Sequence, residues 1–385
     1  QYPTRINTFL SLLLILASAP VALVLLLPLA VRRGTVGRLS LCFLDTEGEF
    51  GPFIQLMEYL RERAIGRSRT CCILIPSREM HAVCEVYRLE FGWKFLTNRG
   101  FRKIVQQALL LQPKSLVELE RLTYMKNRFG KQSAIPIPEY LKNLRFSVCK
   151  TVAIDPTNYV AMAVHTSQYD RSANPLYAYK ERALESNGGD LAGGIDFLHS
   201  FGLGVVLLGA RDSGMATIPR EVPRVTEFAK LGQAEEVAIA SGCKYFWTDN
   251  DGAWWLAVPF GRPILFSNQA RIRIQRQPFL SNFMVLPMRY RYPEGRELTF
   301  GELFALKTSP YKLASRGELE AIRNSTEEIC AGHKEMIMRL DGVWTETEPE
   351  RLVQQEFRRI TAKFPTHQPM KIASSFLIKH SHLLA

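Results

Sequence analysis

The chain has 385 residues, of which 46% are hydrophobic and 22% are charged. This composition is typical of folded proteins and excludes a largely disordered chain. The formal charge of +12 indicates an anionic partner, such as nucleic acid, anionic lipid or an anionic substrate. Because the basic residues are dispersed and no RNA- or DNA-binding signature occurs, we expect no nucleic-acid partner.

Residues 9–31 form an uncharged segment of 23 residues that is rich in Leu, Val and Ala. As a helix, this segment is long enough to cross a hydrocarbon layer of about 30 Å. It is followed by Arg32 and Arg33 instead of a small-residue cleavage site, which favours a permanent membrane anchor over a cleaved signal peptide. Pro20 and Pro28 interrupt the segment, so a kinked span or a re-entrant hairpin remains an alternative.

The basic residues on either side of this segment predict its orientation. Arg5 precedes it, whereas Arg32, Arg33 and Arg38 follow it, which predicts main domains facing the cytoplasm from the inner membrane. The cysteines are scattered and odd in number, without metal-binding CxxC spacing, so we expect reduced thiols. They are Cys42, Cys71, Cys72, Cys84, Cys149, Cys243 and Cys330.

After the anchor (residues 1–34), strand-like and helix-like segments alternate through residue 150. Strands are predicted at 39–44 and 71–76, and helices at 51–63, 101–111 and 115–125. This alternation predicts a parallel sheet covered by helices, in a Rossmann-like domain over residues 35–150.

A second alternating series follows a connecting segment at residues 146–158, in which Asp155-Pro156 is the predicted hinge. Strands are predicted at 159–164, 204–208, 224–228, 244–247 and 263–266, with helices at 190–200 and 233–241. The spacing predicts a doubly wound domain over residues 151–300. Helices predicted at 329–340 and 348–360 form a C-terminal extension over residues 301–385.

The stretch after the strand at 244–247 is the strongest candidate for a ligand site. Thr248, Asn250, Asp251 and Gly252 form a polar turn before a predicted short helix. Backbone N–H groups of such a turn, at the positive end of a helix, can hold a diphosphate. Asp249 and Asp251 add negative charge there, which repels an anion unless a cation lies between them. Trp254 and Trp255 follow and offer either a stacking surface for a base or helix packing.

Two further loops follow predicted strands of the second domain. His165 comes directly after the strand at 159–164, and Arg171 lies in the same loop. Gly209 and Arg211 follow the strand at 204–208. Arginine binds phosphate oxygens in a bidentate manner, so Arg171 and Arg211 are candidate diphosphate ligands. A structural histidine and an Arg–Asp pair are the alternatives.

The loop after the first strand carries three carboxylates, Asp45, Glu47 and Glu49. One of them would serve as a general base, with Asp45 the first choice because it is nearest the strand end. Alternatively, these acids complement the N-terminal dipole of the following helix.

Several motifs of other enzyme classes are missing from the sequence. Gly188, Gly189, Gly193 and Gly194 do not match GxGxxG, and Asp190 is predicted to be a helix N-cap. HExxH, Walker A, GxSxG and paired Cys/His clusters do not occur, so metalloprotease, P-loop and serine-hydrolase functions are unsupported.

The turn and the segment after it, FGRPILFSN, resemble the donor region of GT-B glycosyltransferases and of the related UDP-N-acetylglucosamine 2-epimerases. The wider order of segments resembles a bacterial GT-B glycosyltransferase family associated with surface polysaccharides. The matching stretches, over somewhat more than half the chain, are VAMAVHTSQYDR, GLGVVLLGARDS, VTEFAKLGQAEEVAIASGCKYFWTDNDG, GRELTFGELF, NSTEEICAGHKEMIMRLDGVWTETE and SSFLIKHSHLLA.

The resemblance implies a GT-B-like α/β fold, with two Rossmann-like doubly wound domains facing a cleft. It implies a nucleotide-sugar donor in the C-terminal domain, an acceptor in the N-terminal domain and no bound metal or other cofactor. The anchor favours a lipid-linked or cell-envelope acceptor.

The sequence departs from the family pattern at two places. Asp251 stands where a Ser is usual, and a His-x-Arg-Asp start is usual where this chain has His165, Thr166, Ser167 and Gln168. Both changes remove expected phosphate ligands. A catalytically degenerate protein that serves as a membrane-tethered subunit or scaffold in a larger complex is therefore the alternative.

Overall fold

The structure is a computed structural model. It describes residues 40–42, 72–74, 81–91, 94–95, 134–164, 188–208, 222–223, 234–249, 252–270, 283–364 and 371–385. The chain divides into two compact units, Gln1–Lys126 and Asn127–Ala385. The apolar segment at 9–31 lies outside the described residues, and no helix within them is both long and apolar enough to cross a bilayer.

The first unit contains a parallel sheet in the order β1-β2-β3. Its strands are β1 (Ser40–Cys42), β2 (Cys72–Leu74) and β3 (Lys94–Phe95), with Ser40 opposite Cys72 and Ile73 opposite Lys94. Helix α1 (His81–Phe91) lies between β2 and β3 and buries Val83, Cys84, Val86 and Tyr87. The two longer strands confirm the predicted β-segments, whereas α1 and β3 were not predicted. The helices predicted at 51–63, 101–111 and 115–125 lie outside the described residues.

The second unit is built on a six-stranded parallel sheet in the order β11-β8-β7-β6-β4-β5. Nearly every residue of its strands is buried, because helices cover both faces and the strands are apolar on both sides. The strands are β4 (Tyr159–Val164), β5 (Gly204–Leu208), β6 (Tyr245–Asp249), β7 (Ile264–Gln269), β8 (Phe283–Pro287) and β11 (Lys371–Ile372). The prediction gave β4 and β5 with the same bounds.

The connecting helices of the second unit confirm the predicted α/β alternation. They are α2 (Glu139–Thr151), α3 (Gly188–Ser200), α4 (Ala234–Gly242), α5 (Phe300–Ala305), α6 (Pro310–Ser315), α7 (Thr326–Leu340), α8 (Glu348–Ala362) and α9 (Ser374–Lys379). A two-stranded antiparallel ribbon, β9 (Arg289–Arg291) and β10 (Glu320–Ile322), continues from the end of β8. The strand predicted at 224–228 lies outside the described residues.

Helices α3 and α7 cover one face of the sheet and pack unusually closely. A Cβ atom on Gly194 would lie 2.9 Å from Ile329 Cγ2 and 2.9 Å from Trp247 Cη2, so only glycine fits there. Gly193 faces Thr326 in the same way. The glycines at 193 and 194 therefore permit helix packing against the sheet. Since α3 begins at Gly188, the N-cap prediction for Asp190 is wrong: Asp190 lies in the first turn and accepts a hydrogen bond from Thr326 Oγ1 at 3.1 Å.

Helices α2 and α4 cover the other face. Arg145 of α2 lies against Gly242 at the end of α4, and Arg262 Nε donates to Ser241 O at 2.6 Å, so two arginines neutralise the carboxyl end of α4. The connecting segment is shorter than the predicted 146–158, because residues 146–151 belong to α2. Only residues 152–158 form turns, where Asp155 accepts a hydrogen bond from Thr157 N at 2.8 Å.

The C-terminal helices share the core of this sheet. Phe357 of α8 and Phe376 of α9 belong to the same buried cluster as Val160 and Trp247 of the sheet. The stretch at 371–385 also supplies β11, which pairs with β8. Glu328 fixes this stretch to α7, since its Oε1 lies 2.6 Å from His380 Nε2 and 3.0 Å from Lys379 Nζ. Residues 301–385 and the sheet therefore form one folded body.

Candidate functional site

The strand order places the end of β6, at Asp249, at a topological switch point of the six-stranded sheet. From β4 the chain passes to β5 on one side and then to β6 on the other side of β4. In doubly wound folds the ligand crevice lies outside the carboxyl ends of the two strands where the order reverses. Here these strands are β4 and β6, which end at Val164 and Asp249, and these two residues lie opposite each other in the register.

Strand β6 ends at Asp249, and the next described residue is Gly252. Gly252 is exposed and has space around its α-carbon, because an added Cβ would meet no atom within 4 Å. A four-residue 3₁₀-helix, Ala253–Leu256, follows, and a second one spans Val258–Phe260. The sequence predicted one helix with a positive terminus, but such short 3₁₀ turns do not build the dipole of a longer α-helix. This segment can therefore offer an anion its backbone N–H groups, without the added dipole of a longer helix.

Asp249 is fully buried at the end of β6 and is linked to the neighbouring strand. Ser267, its register partner on β7, donates from Oγ to Asp249 Oδ1 at 3.3 Å. The indole Nε1 of Trp247 donates in turn to Ser267 Oγ at 2.9 Å. This chain of hydrogen bonds fixes a carboxylate at the switch point. Ser267 was not singled out from the sequence, because its role depends on the register of β6 and β7.

A pair of buried asparagines lies beside this chain at the end of β7. Asn268 N donates to Asn324 Oδ1 at 2.6 Å, and Asn324 N donates to Asn268 Oδ1 at 2.6 Å. Asn324 Nδ2 also donates to Pro287 O at 3.0 Å. Asn268 has φ of +47°, in the left-handed region that asparagine tolerates better than most residues. The pair joins the carboxyl ends of β7 and β8 to the segment before α7.

Both tryptophans after the turn pack inside the second unit. Trp254 and Trp255 are buried and stack on each other with ring centroids 4.1 Å apart. Trp254 also contacts Phe266 and Phe283 edge-on, with centroids 5.2 and 5.4 Å away. The structure therefore supports packing, and not a stacking surface for a base, as the role of these two residues.

A buried histidine lies beneath the site, between α7 and the sheet. His333 Nδ1 lies 2.7 Å from Tyr245 Oη, and its ring contacts Trp247 edge-on at 4.4 Å. Burial lowers the pKa of His333 to about 3, so its imidazole is neutral near pH 7. This residue packs the core below the site. Over the described ranges, no three His, Cys, Asp or Glu side chains converge in a way that would hold a metal ion.

The structure describes only two of the predicted site residues. Thr248 is fully buried in β6, between Ala163 and Phe266 of the neighbouring strands, and Gly252 is exposed in the turn. The remaining predicted ligands and catalytic acids lie outside the described residues and stay predictions. They are Asp45, Glu47, Glu49, His165, Arg171, Gly209, Arg211, Asn250 and Asp251.

Comparisons with known proteins find similarity at the level of structure. No family model and no curated protein matches the chain. The ADP-heptose lipopolysaccharide heptosyltransferase II of Escherichia coli is 10% identical with a TM-score of 0.48, covering 79% of this chain and 99% of its own. A family 9 glycosyltransferase of Veillonella parvula is 10% identical with a TM-score of 0.39, covering 65% of this chain and 86% of its own. The E. coli heptosyltransferase WaaC with ADP is 9% identical with a TM-score of 0.36, covering 65% of this chain and 91% of its own.

Proposed function

We propose that the protein is a membrane-anchored glycosyltransferase. It moves a sugar from a nucleotide-sugar donor, held by the second unit, to a lipid-linked or cell-envelope acceptor held by the first unit. The observation that carries this proposal is the position of Asp249, which ends β6 at the topological switch point of a parallel sheet. The resemblance of the sequence around this turn to the donor region of GT-B enzymes gives the ligand class.

In the proposed reaction, a hydroxyl of the acceptor attacks the anomeric carbon of the sugar. A new C–O bond forms, the bond to the diphosphate breaks, and the nucleoside diphosphate leaves. The acceptor proton passes to a base, for which Asp45, Glu47 and Glu49 are the candidates if the anomeric configuration inverts. Backbone N–H groups and cationic side chains stabilise the charge on the leaving diphosphate, and no metal is required.

The location follows from the sequence. Residues 9–31 anchor the chain in the inner membrane, and the basic residues after them keep the folded units on the cytoplasmic side. On this side, a nucleotide sugar from the cytoplasm can meet a lipid-linked acceptor at the membrane surface. Labelling of single engineered cysteines placed before and after the segment tests this orientation, because only a cysteine outside the cytoplasm reacts with an impermeant reagent.

One structural observation favours a second function, that of a degenerate GT-B-like scaffold. Asp249 holds a buried carboxylate at the switch point, where the charge of a diphosphate would be placed. If this charge prevents donor binding, the protein acts as a membrane-tethered subunit of a larger complex.

Thermal unfolding of the full chain with UDP-, GDP-, CMP- and ADP-sugars tests the first function. A ligand that binds only the folded state raises Tm, by an amount that grows with its concentration. We expect one nucleotide class to raise Tm, and we expect cells carrying Arg211→Ala to change their surface glycan. No shift with any donor, together with an unchanged glycan, contradicts the transferase.

The variant Asp249→Asn separates the two functions. In a working donor site the wild-type chain binds a nucleotide sugar. In a degenerate site the wild-type chain binds none, and removal of the carboxylate charge restores binding. If neither wild type nor Asp249→Asn binds a nucleotide sugar, a donor site at the end of β6 is excluded.

A further inference from the structure

Residues 357–385 carry positive charge without any acidic residue. They contain five Lys or Arg and no Asp or Glu, so this stretch supplies +5 of the formal charge of +12. The side chains that carry this charge are Arg358, Arg359, Lys363, Lys371 and Lys379. Such an imbalance indicates an anionic partner for the surface on which these residues lie.

The exposed face of α8 and of its C-cap residue Lys363 presents most of this charge. The helix buries its other face, which includes Phe357 and Ile360, in the core of the second unit. Residues three, four or seven positions apart lie on the same side of a helix. The outward face is formed by Arg351, Leu352, Gln355, Arg358, Arg359 and Lys363, all of which are exposed. Four of these six side chains are cations, and Leu352 is the apolar one.

Strand β11 brings a further cation to this face. Gln354 Nε2 of α8 donates to Ile372 O at 2.8 Å, so the helix lies beside the edge strand of the six-stranded sheet. Lys371 precedes Ile372 and is exposed. Partial burial of its side chain and the positive charges of Arg339 and Arg358 lower the pKa of Lys371, so these cations repel one another. We call Arg351, Arg358, Arg359, Lys363 and Lys371 the basic surface.

Three cations of the basic surface have no ion pair in the part of the chain that the structure describes. They are Arg358, Lys363 and Lys371. Arg358 Nε donates to Gln354 O of its own helix at 3.1 Å, which leaves its charge unneutralised. Of the acids near Lys371, Glu335 is buried and bound by Arg339 at 2.8 Å, and Glu346 acts on Lys371 without an ion pair. Negative charge from outside the protein would relieve the repulsion.

The other two cations of the basic surface are paired only within α8. Arg351 pairs with Glu348 and Arg359 with Glu356, each about one turn apart on the exposed side of the helix. Exposed pairs of this kind contribute little to stability, because water screens the charges and the side chains lose conformational freedom. Both arginines can therefore bind an external anion, and the basic surface keeps a net positive charge.

We propose that the basic surface docks on an anionic lipid bilayer. The cations spread over about three turns of α8 instead of converging on one point, which suits a charged surface better than a small ligand. Leu352 is 51% exposed among them and can enter the region between headgroups and acyl chains. Each Lys or Arg near such a membrane adds to the attraction. This contact goes beyond the proposed function, because it belongs to the second unit and is separate from the predicted anchor at 9–31.

Acetylation of lysines in the full chain tests this contact. Wild-type protein is reconstituted with vesicles of phosphatidylcholine alone, or of an equal mixture with phosphatidylglycerol, then acetylated briefly and analysed by mass spectrometry. We expect acetylation of Lys363 and Lys371 to fall about fivefold or more in the anionic vesicles and to recover in about 1 M salt. Lys150, exposed on α2 at the other face of the sheet, is the internal control and should react equally in both.

A double variant tests the role of charge. Arg358→Gln/Arg359→Gln removes two cations of the basic surface and keeps both lysines as probes. The docked fraction should fall about fivefold for each charge removed, so the protection of Lys363 and Lys371 should largely disappear. The matched control is Lys142→Gln/Lys150→Gln, which removes two exposed charges of α2 and should keep the protection. Circular dichroism establishes that both variants are folded.

Three results would overturn the proposal. The first is equal acetylation of Lys363 and Lys371 in neutral and anionic vesicles. The second is full protection in Arg358→Gln/Arg359→Gln, which would show that the charge of α8 is not the cause. The third is protection by RNA or polyglutamate but not by anionic vesicles, which would assign the basic surface to nucleic acid or to an acidic protein. None of these results bears on glycosyl transfer, because the basic surface includes no residue of the proposed donor or acceptor sites.

Discussion

Asn268 and Asn324 bind each other through two reciprocal hydrogen bonds of 2.6 Å, although they are 56 residues apart in the sequence. Each side-chain oxygen accepts from the backbone N–H of the other residue. The pair is buried and joins the end of β7 to the segment before α7. It fixes the edge of the sheet at which the candidate site lies.

Asn324→Ala should destabilise the protein by about 2–4 kcal/mol. The change removes the two hydrogen bonds of the Asn324 side chain and leaves Asn268 N and Pro287 O buried without these partners, each at a cost of about 1–3 kcal/mol. Urea unfolding followed by circular dichroism measures the change. Asn143→Ala, at an exposed position of α2, is the control and should alter stability by less than about 0.5 kcal/mol.

Asn268→Gly should be more stable than Asn268→Ala by about 1 kcal/mol. Both variants lose the side-chain acceptor, but φ of +47° is strained for alanine and not for glycine. Comparison of the two unfolding midpoints isolates the backbone contribution. Equal stabilities would show that residue 268 relaxes out of the left-handed region.

Gly194→Ala should destabilise the protein by about 1–3 kcal/mol. The new methyl group would lie 2.9 Å from both Ile329 and Trp247, so α3 must move away from α7 and the sheet. The control is Gly301→Ala in α5, where the nearest atom lies 3.8 Å away and alanine favours the helix. This control should be neutral or stabilising. A neutral Gly194→Ala would contradict the close packing of α3.

Glu328→Gln should remove a pH-dependent part of the stability. Burial by itself raises the pKa of Glu328, but hydrogen bonds from His380, Lys379 and Ser325 N outweigh it and lower the pKa to about 2. Because the folded pKa lies below the ordinary 4.5, the stabilisation is complete above about pH 4.5 and is lost as the pH falls toward 2.

The difference in unfolding free energy between wild type and Glu328→Gln should therefore be largest at neutral pH, about 3 kcal/mol, and shrink below pH 4.5. Urea unfolding at pH 7, 4 and 3 provides the measurement. Glu346→Gln, at an exposed position, serves as the control. A difference that does not change with pH would show that Glu328 is not held ionised by its partners.

His333 should stay neutral in the folded protein down to about pH 3. Burial lowers its pKa, so the folded state binds fewer protons than the unfolded state between about pH 6.5 and 3, and stability is lost as the pH falls through this window. NMR of histidine-labelled protein measures the titration directly, with the signal assigned from its loss in His333→Gln. Titration of this signal near pH 6.5 would contradict the buried neutral state.

The regular elements of the second unit were largely predictable, because local patterns determine them. Apolar runs bounded by turn residues gave β4 and β5 with their observed bounds. The segment Asn324 to Glu328 has the residue types of a helix N-cap, and the structure shows Ser325 and Glu328 as the capping box at the start of α7. The connecting segment predicted at 146–158 begins later in the structure, since residues 146–151 continue the amphipathic face of α2.

The candidate site was predictable only in part. The turn after β6 stands out in the sequence because its residue types and its position after an apolar strand are local features. Ser267, Asn268 and Asn324 do not stand out, because their partners lie on other strands or segments. Their roles depend on strand order and register, which no local pattern contains.

The sequence by itself determined the α/β alternation, the apolar segment at 9–31 and the polar turn at 249–252. These follow from periodicity, hydrophobicity and turn chemistry within short windows. Only the tertiary structure decided that β6 ends at the switch point, that the glycines at 193 and 194 serve helix packing, and that Asn268 and Asn324 bind each other. The reason is physical: contacts between residues distant in sequence are selected by packing and by the pairing of buried polar groups.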